Sequence, residues 1–589
     1  MAPQGFQDKV AFVWKVADKL RGTFKQHEYG SVMLPLLVLR RMDAVLAPTK
    51  DAVLARAKGF TTIGEGEDAL LKKASGHRFY NTAPWTFATL LNDDKNLADN
   101  LATYIRKLSP DAYRVMEAYN FDDKIARLDR AGLLYAVLAD FADLDLRPAV
   151  VSNESMGYIF EELLRKFSEM SNETAGEHYT PREVIKLMVH LLLTGPTTKE
   201  LTDNPIPVRT VYDPAAGTGG MLMGAMHQIK HMNDRAIVNV FGQELNDETW
   251  AIAQSDLMIQ DIDPGHMRNG NTLTNDAFST RTFDFILANP PYGVDWKAYA
   301  APIRDEHEKL GEKGRFGAGL PRVSDGSLLF LQHMLSKMKP TGSGSRVAIV
   351  LSGSPLFSGA AGSGESEIRR WIFENDWLEG IVALPDQMFY NTGISTYVWI
   401  LTNNKTDADL GLVRLIDARE SGTKMRKSLG DKRKELSPDA IAEIAQLYGA
   451  AQDEFADDPR VKVLTNEAFG FQRITVERPL RRRWEVTTDT LAALASSKPW
   501  ATWKDAPDSD AFASLVGTRF ATAAALTATI KKVDAATPLP VVRELVKQAA
   551  VADLEAPIVK GKNGAPEPDP GLRDAENIPL PAGWLTTGE

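Results

Sequence analysis

Val211-Tyr212-Asp213-Pro214-Ala215-Ala216-Gly217-Thr218-Gly219-Gly220 is the stretch on which the fold turns. A β-branched and aromatic run empties into a turn of small residues, and a helix is predicted to begin near Met221. The small residues from Ala215 to Gly220 let the backbone approach a ligand closely, and the free amides of a helix N-terminus lie beside them. No Gly-Lys-Ser/Thr follows, so the spacing departs from a phosphate-cradling loop. Taken alone, the segment reads equally well as a structural tight turn.

The next predicted strand ends in Gly242-Gln243-Glu244. A carboxylate at that position can accept both hydroxyls of a ribose, although an exposed strand-end acid is the plainer reading of Glu244 by itself. Together the two segments point to an adenosine-containing cofactor. Further on, Phe283-Asp284-Phe285-Ile286-Leu287-Ala288 runs into Asn289-Pro290-Pro291-Tyr292. Two prolines withhold their N–H donors, so the carbonyls around them act as pure acceptors. Asn289 adds a side-chain carbonyl and Tyr292 a stacking face, which together suit a planar NH₂ group. An ordinary proline turn is disfavoured by its place after a central strand.

Working outward, predicted strands at Thr210–Tyr212, Ile237–Gly242, Phe283–Ala288, Arg346–Leu351, Gly380–Leu384, Thr396–Leu401 and Val413–Ile416 alternate with helical spacing. That grammar predicts a mostly parallel α/β sheet covered on both faces. Residues 1–170 read as an N-terminal helical domain, with apolar residues such as Val10, Val13, Met33, Leu36 and Leu37 at spacings of three and four. It is either a cap burying its own faces or a binding surface. Residues 171–450 hold the α/β domain, 451–555 an Ala-rich, mainly helical extension for partner binding, and 556–589 a polar Pro/Gly-rich tail, in which Lys560–Pro570 reads as an exposed linker or disordered segment. Basic residues gather at Arg419, Lys424, Arg426, Lys427 and Lys432 to Lys434, and again at Arg478 and Arg481 to Arg483. Such runs are usually solvated faces, with phosphate contact the alternative.

Composition narrows the chemistry. The 589 residues contain no cysteine, which excludes disulfides, thiolate metal sites and a Cys nucleophile. A net charge of −10 argues against indiscriminate nucleic-acid coating but leaves room for a local basic groove. No apolar run approaches the ~18 residues of a bilayer span, no secretory leader is evident, and a cytoplasmic protein without membrane attachment is expected. His178 lacks further ligands at metal spacing, and no metal is expected.

The ordered pair Asp213-Pro214-Ala215-Ala216-Gly217-Thr218-Gly219-Gly220 and Asn289-Pro290-Pro291-Tyr292 resembles the S-adenosylmethionine and catalytic motifs of amino-methylating DNA methyltransferases. Upstream, Gly176-Glu177-His178-Tyr179-Thr180-Pro181-Arg182-Glu183 resembles a motif of the modification subunit of type I restriction-modification systems. Leu384 to Ile394 and Lys424 to Gly430 are also similar to that family, and the likeness runs over roughly residues 1–450. The tail Gly571 to Leu580 resembles a segment that larger relatives extend past, which reads as a shortened version.

The resemblance implies a Rossmann-like class I S-adenosyl-L-methionine-dependent methyltransferase core between an N-terminal α-helical domain and a helical C-terminal extension. Glu177, His178, Tyr179, Thr180, Pro181 and Arg182 would flank the cofactor, Asp213 and Ala215 to Gly220 would wrap it, and Glu244 would take its ribose. Asn271 stands where the family typically has an Asp near the cofactor adenine. A flipped target adenine would bond through N6 to Asn289 and the Pro290 carbonyl, with Pro291 shaping the turn, Tyr292 stacking on one face and Phe389 on the other. The implied partners are double-stranded DNA, a specificity subunit that reads the sequence, a second modification subunit and an optional restriction subunit. The absence of cysteine disfavours cytosine C5 methylation. Release-factor glutamine methyltransferases share Asn-Pro-Pro-Tyr but are much shorter, and a scaffold with an idle site is opposed by the intact motif.

Overall fold

The computed structural model describes residues 6–170, 180–291, 293–340, 344–390, 392–429, 431–451, 454–455, 457–504, 506–507, 509–561, 563–581 and 583–584. The chain divides into two compact units, residues 1–466 and 467–589.

The first unit opens with helices. The helix Tyr29–Leu46 is apolar nearly all round, and Val32, Met33, Leu36, Leu37, Val38 and Leu39 are each at most 1% exposed. A helix with no polar face can only be stable at the centre of a bundle, which is where this one lies. Its one fully buried charge is Arg41. Arg41 donates to the carbonyls of Leu146 and Val151 and, at 2.7 Å, to Asn153 Oδ1. Burial pulls its pKa down to about 10, which leaves it a cation at neutral pH. It thereby ties the helical bundle to the segment that leads into the helix Asn153–Met170.

The α/β part is built on β1 Val208–Asp213, β2 Ile237–Glu244, β3 Met267–Asn269, β4 Phe285–Ala288, β5 Arg346–Ser352, β6 Leu378–Ala383, β7 Thr396–Thr402 and β8 Leu412–Asp417. A hairpin, β9 Thr423–Leu429 with β10 Lys432–Glu435, follows, then β11 Val461–Thr465. Among the described residues nine strands form one sheet in the order β11-β8-β6-β7-β5-β4-β1-β2-β3. β1, β2, β3, β4 and β5 are parallel, whereas β7 enters antiparallel between β5 and β6, and β11 lies antiparallel on β8. All seven residues of β5 are buried. Ala348 and Val350 face the main core beside Leu187 and Leu191 of the helix Arg182–Leu192, and the alternate residues Val347, Ile349 and Leu351 lie on the opposite face. Helices therefore cover both sides, and the run carries no polar alternation.

The second unit packs the helices Thr488–Ala495, Ala523–Val533 and Leu539–Gln548 around Trp484, Phe512, Leu526, Ile530 and Leu545. Short strands Arg482–Glu485, Arg519–Phe520 and Ala550–Ala552 join them in a small sheet that alanine-rich helical spacing does not signal. A ribbon pairs Phe471–Val476 with Asp574–Pro579. The polar stretch 560–570, expected as a linker, folds back: Lys560 bridges Pro566, and Gly561 N–H donates to the Ala565 carbonyl at 2.9 Å. Among the described residues no helix is long and apolar enough to cross a membrane.

Candidate active site

β1, β2 and β4 run side by side and end at one edge of the sheet, where a cleft of about 1180 Å³ opens. Parallel sheets place ligand sites at this edge because the loops leaving the strands diverge there. β1 ends at Asp213, and the turn that follows needs left-handed backbone at Gly217 (φ +54°) and Gly219 (φ +82°) before the helix Gly220–Met232 begins. The turn is clamped from two sides. Ala216 N–H donates to the Gln243 carbonyl at 3.0 Å, and Thr272 Oγ1 donates to the Pro214 carbonyl at 2.6 Å. Gly242 is required by the same closeness, since a Cβ there would lie 2.5 Å from Met267 Sδ and 3.0 Å from Ala216 Cβ.

Two acids face each other across this turn. Glu244, 8% exposed, accepts from the backbone N–H groups of Gly217 at 2.9 Å and Asn246 at 2.8 Å. Asp213 is 1% exposed and accepts from Ala215 N–H at 2.9 Å. Burial, opposed by the Ala215 bond and reinforced by the charge of Glu244, pushes the Asp213 carboxyl up to about 8. The pair is a carboxylate held open by amides and a buried acid that is mostly protonated at neutral pH.

β4, buried at all four positions, delivers Asn289, Pro290 and Pro291 to the cleft. Asn289 Nδ2 donates to Thr180 Oγ1 at 3.0 Å, so residues 109 positions apart meet in one site. The other end of that amide, Asn289 Oδ1, is buried and has no hydrogen-bond partner among the described residues. A buried carbonyl left without a donor costs about 1–3 kcal/mol, and such groups are rare enough to call for a ligand.

The cleft brings together Thr180, Arg182, Asp213, Ala215 to Thr218, Gly220, Glu244, Asn271 and Asn289 to Pro291, all named from sequence. Pro181 and Gly219 shape it without lining it: Pro181 caps the helix Arg182–Leu192, and Gly219 caps Gly220–Met232. Arg182 bonds to Glu161 and reaches Glu162 at 3.6 Å. Asn271 accepts from Leu273 N–H at 2.9 Å, which folds its loop against the cleft. Glu177, His178, Tyr179 and Tyr292 lie outside the described residues. Phe389 is the correction. It is 2% exposed, packed in the main core and absent from the cleft wall, because the loop after β6 turns its ring inward beside Met388. Among the basic residues, Lys432 is also internal: it is 2% exposed, ion-paired with Glu183 and bonded to the Lys434 carbonyl at 2.8 Å. Arg419 pairs with Asp417, while Lys424 and Arg426 are exposed.

Sequence reading missed the remaining walls. Glu161 and Asp256 come from two helices, Asn153–Met170 and Asp247–Ile259. Burial, with the charge of Glu161, pushes Asp256 up to about 7 against a 2.8 Å bond from the Gln260 amide. Trp296, Tyr299 and Phe330 form the wall next to Pro291. No short motif marks them, because they come from the connection between β4 and β5, Phe330 from the helix Ser327–Ser336 within it.

Residues 151–466 match the family described as N-6 DNA methylase, and residues 10–141 match the HsdM N-terminal domain. The chain belongs to the N-6 DNA methylase family. As a family member with that N-terminal domain it is a modification subunit of the type I restriction-modification kind, an enzyme of the DNA adenine-N6 methyltransferase class. It is 25% identical over 461 residues to the type I restriction enzyme MjaIX methylase subunit of Methanocaldococcus jannaschii, covering 75% of this chain and 77% of that one. It is 30% identical over 304 residues to the HindI methylase subunit of Haemophilus influenzae, covering 51% and 61%. The crystal structure of a type I methyltransferase subunit from Streptococcus thermophilus shares the fold with a TM-score of 0.60 at 23% identity, over 79% of this chain and 96% of that one. A modification subunit from Vibrio vulnificus shares it at a TM-score of 0.51 and 19% identity, over 79% and 93%.

Proposed function

We propose that this N-6 DNA methylase binds S-adenosyl-L-methionine in the cleft and methylates N6 of an adenine rotated out of double-stranded DNA, at sites chosen by a separate specificity subunit. The orphaned Asn289 Oδ1 carries the reading. It is an acceptor without a donor among the described residues, the Pro290 carbonyl follows it in the chain at the same cleft, and an exocyclic NH₂ supplies two donors to such a pair.

The cleft residues fit the cofactor. Gly217 and Gly219 adopt backbone that leaves room for close approach, Glu244 presents a carboxylate to ribose hydroxyls, and Asn271 offers an amide beside them. Bound there, S-adenosylmethionine supplies an electrophilic methyl group. The work of the chain is on the adenine. Asn289 Oδ1 and the Pro290 carbonyl hold the two N6 hydrogens, drawing the nitrogen lone pair out of conjugation with the ring and toward the cofactor side. Thr180 fixes the Asn289 amide so that Oδ1 stays presented. Pro291 restrains the backbone, and Tyr292 is assigned the stacking face. Positioning and acceptor bonds supply the rate, with no covalent enzyme intermediate. A second modification subunit and a restriction subunit complete the proposed assembly.

The test is single-base methylation mapping in a methylation-free host expressing this chain with and without its specificity subunit. N6-methyladenine at one motif, dependent on both chains and lost in Asn289→Ala, is the expected result. No methylation under any condition, with the cofactor bound, would overturn it.

A further inference from the structure

The connection between β4 and β5 carries a half-buried guanidinium that the proposed chemistry does not use. Arg315, on this connection, is held bidentately by Glu306, with Nη2 at 2.6 Å and Nε at 3.0 Å. Its remaining N–H groups reach two carbonyls outside this connection and one ring on the helix Ser327–Ser336 within it. Nη1 donates to the Thr272 carbonyl at 2.8 Å and Nη2 to the Leu273 carbonyl at 2.9 Å, the two peptide groups that follow Asn271. Nη1 also meets His333 Nδ1 at 3.2 Å. Because a guanidinium can only donate, Nδ1 must be the bare nitrogen and Nε2 the protonated one. Nε2 lies 2.9 Å from the hydroxyl of Tyr212, the residue before Asp213. His333 is fully buried, and burial together with the charges of Arg315 and Lys337 holds its pKa well below the usual imidazole range, so it stays neutral and keeps this tautomer.

We infer that Arg315 and His333 are positioning residues that set the cofactor half of the site from behind, Arg315 through the Thr272 and Leu273 carbonyls and His333 through Tyr212. One end of the relay fixes the loop that presents Asn271. The other fixes the end of β1 that presents Asp213. Thr272 closes the circuit, since its hydroxyl bonds the Pro214 carbonyl at 2.6 Å and so links the two loops. A planar five-donor group fits this junction because two carbonyls, one imidazole nitrogen and a carboxylate must be served at once, and a lysine ammonium has neither the reach nor the fork. The inference rests on the cleft being the S-adenosylmethionine site.

The experiment is calorimetric titration of S-adenosylmethionine into the full chain and its Arg315→Ala, Arg315→Lys and Tyr212→Phe variants, with thermal melts of each. Arg315→Ala should weaken binding at least tenfold, Arg315→Lys should recover little of it, and millimolar guanidinium should restore the Ala variant where equal sodium chloride does not. Tyr212→Phe, which removes one oxygen and leaves His333 Nε2–H without its acceptor, should weaken binding several-fold while lowering the melt by only a few degrees; it carries the test if the Arg315 variants do not fold. Unchanged cofactor affinity in folded Arg315→Ala or in Tyr212→Phe would overturn the inference, as would a loss that guanidinium leaves untouched. If the wild-type chain binds no S-adenosylmethionine, the reading of the cleft fails instead.

Discussion

Replacing Asn289 with Ala should abolish most turnover while leaving the fold as stable as before, and the structure explains why these effects separate. The substitution deletes the 3.0 Å bond to Thr180, a net loss of about 1 kcal/mol. It also deletes Oδ1, a buried carbonyl without a donor among the described residues, whose desolvation costs the ligand-free protein about 1–3 kcal/mol. The two contributions oppose each other, so the melting temperature should hold within about 2 °C or rise slightly. In the proposed transition state the same oxygen would face hydrogens on a nitrogen that is losing its electron pair. Removing a preorganised partner of developing charge typically costs about 2.7–4 kcal/mol, or roughly 10²–10³ in kcat. Methyl transfer from labelled cofactor to a duplex, measured with saturating cofactor and the specificity subunit present, reads kcat. Calorimetry reads cofactor affinity, and a melt reads stability. A fall in melting temperature of more than about 5 °C, or a cofactor affinity weakened more than tenfold, would show Asn289 to be structural and refute the reasoning.

Three further outcomes are expected. Asp213 ionises only near pH 8 in the fold against about 4 in the unfolded chain, so the folded state holds the extra proton and stability should fall as pH rises through that window. Asp213→Asn should flatten the decline, and binding of a cationic cofactor at neutral pH should release protons, seen as a buffer-dependent heat that the same substitution abolishes. Lys432→Met should destabilise the chain by about 3–5 kcal/mol by stranding Glu183, and the double variant with Glu183→Leu should recover most of it, as denaturant melts will show. Reversing Lys424 and Arg426 should instead leave melts alone while lowering DNA affinity and flattening its salt dependence by about 0.9 in the log–log slope per lost phosphate contact. An unchanged slope would remove these two side chains from the DNA face.

The long apolar strands were legible because burial on both faces suppresses every polar interruption; the observed β1, β2, β4 to β8 coincide with the strands expected from sequence to within two residues at most ends. β3 has three residues, and β9 and β10 are mostly lysine, arginine and threonine, so neither carries a period to detect. The reversed direction of β7 was illegible for another reason. Thr396–Thr402 is buried on both sides like its neighbours, and strand direction leaves no local pattern. In the site, the order of motifs announced Thr180, Asp213, Glu244 and Asn289, and the sheet edge collected them. Phe389 was misplaced because an aromatic beside a loop motif reads alike whether its ring turns outward or into the core. Arg315 and His333 went unnoticed since their partners are backbone carbonyls and a tyrosine distant in sequence.

The ribbon that pairs Phe471–Val476 with Asp574–Pro579 also has a consequence in time. Its first strand leaves the ribosome about a hundred residues before the partner that covers it, an interval of about 5–20 s at ordinary rates of synthesis. Throughout that interval a row of six residues offers unpaired N–H and C=O groups, with the Phe471 ring half in solvent. Any trimming that removes Asp574–Pro579 would make this interval permanent. Preparations shortened by those residues should therefore associate through Phe471–Val476 even though the helices beside it remain folded.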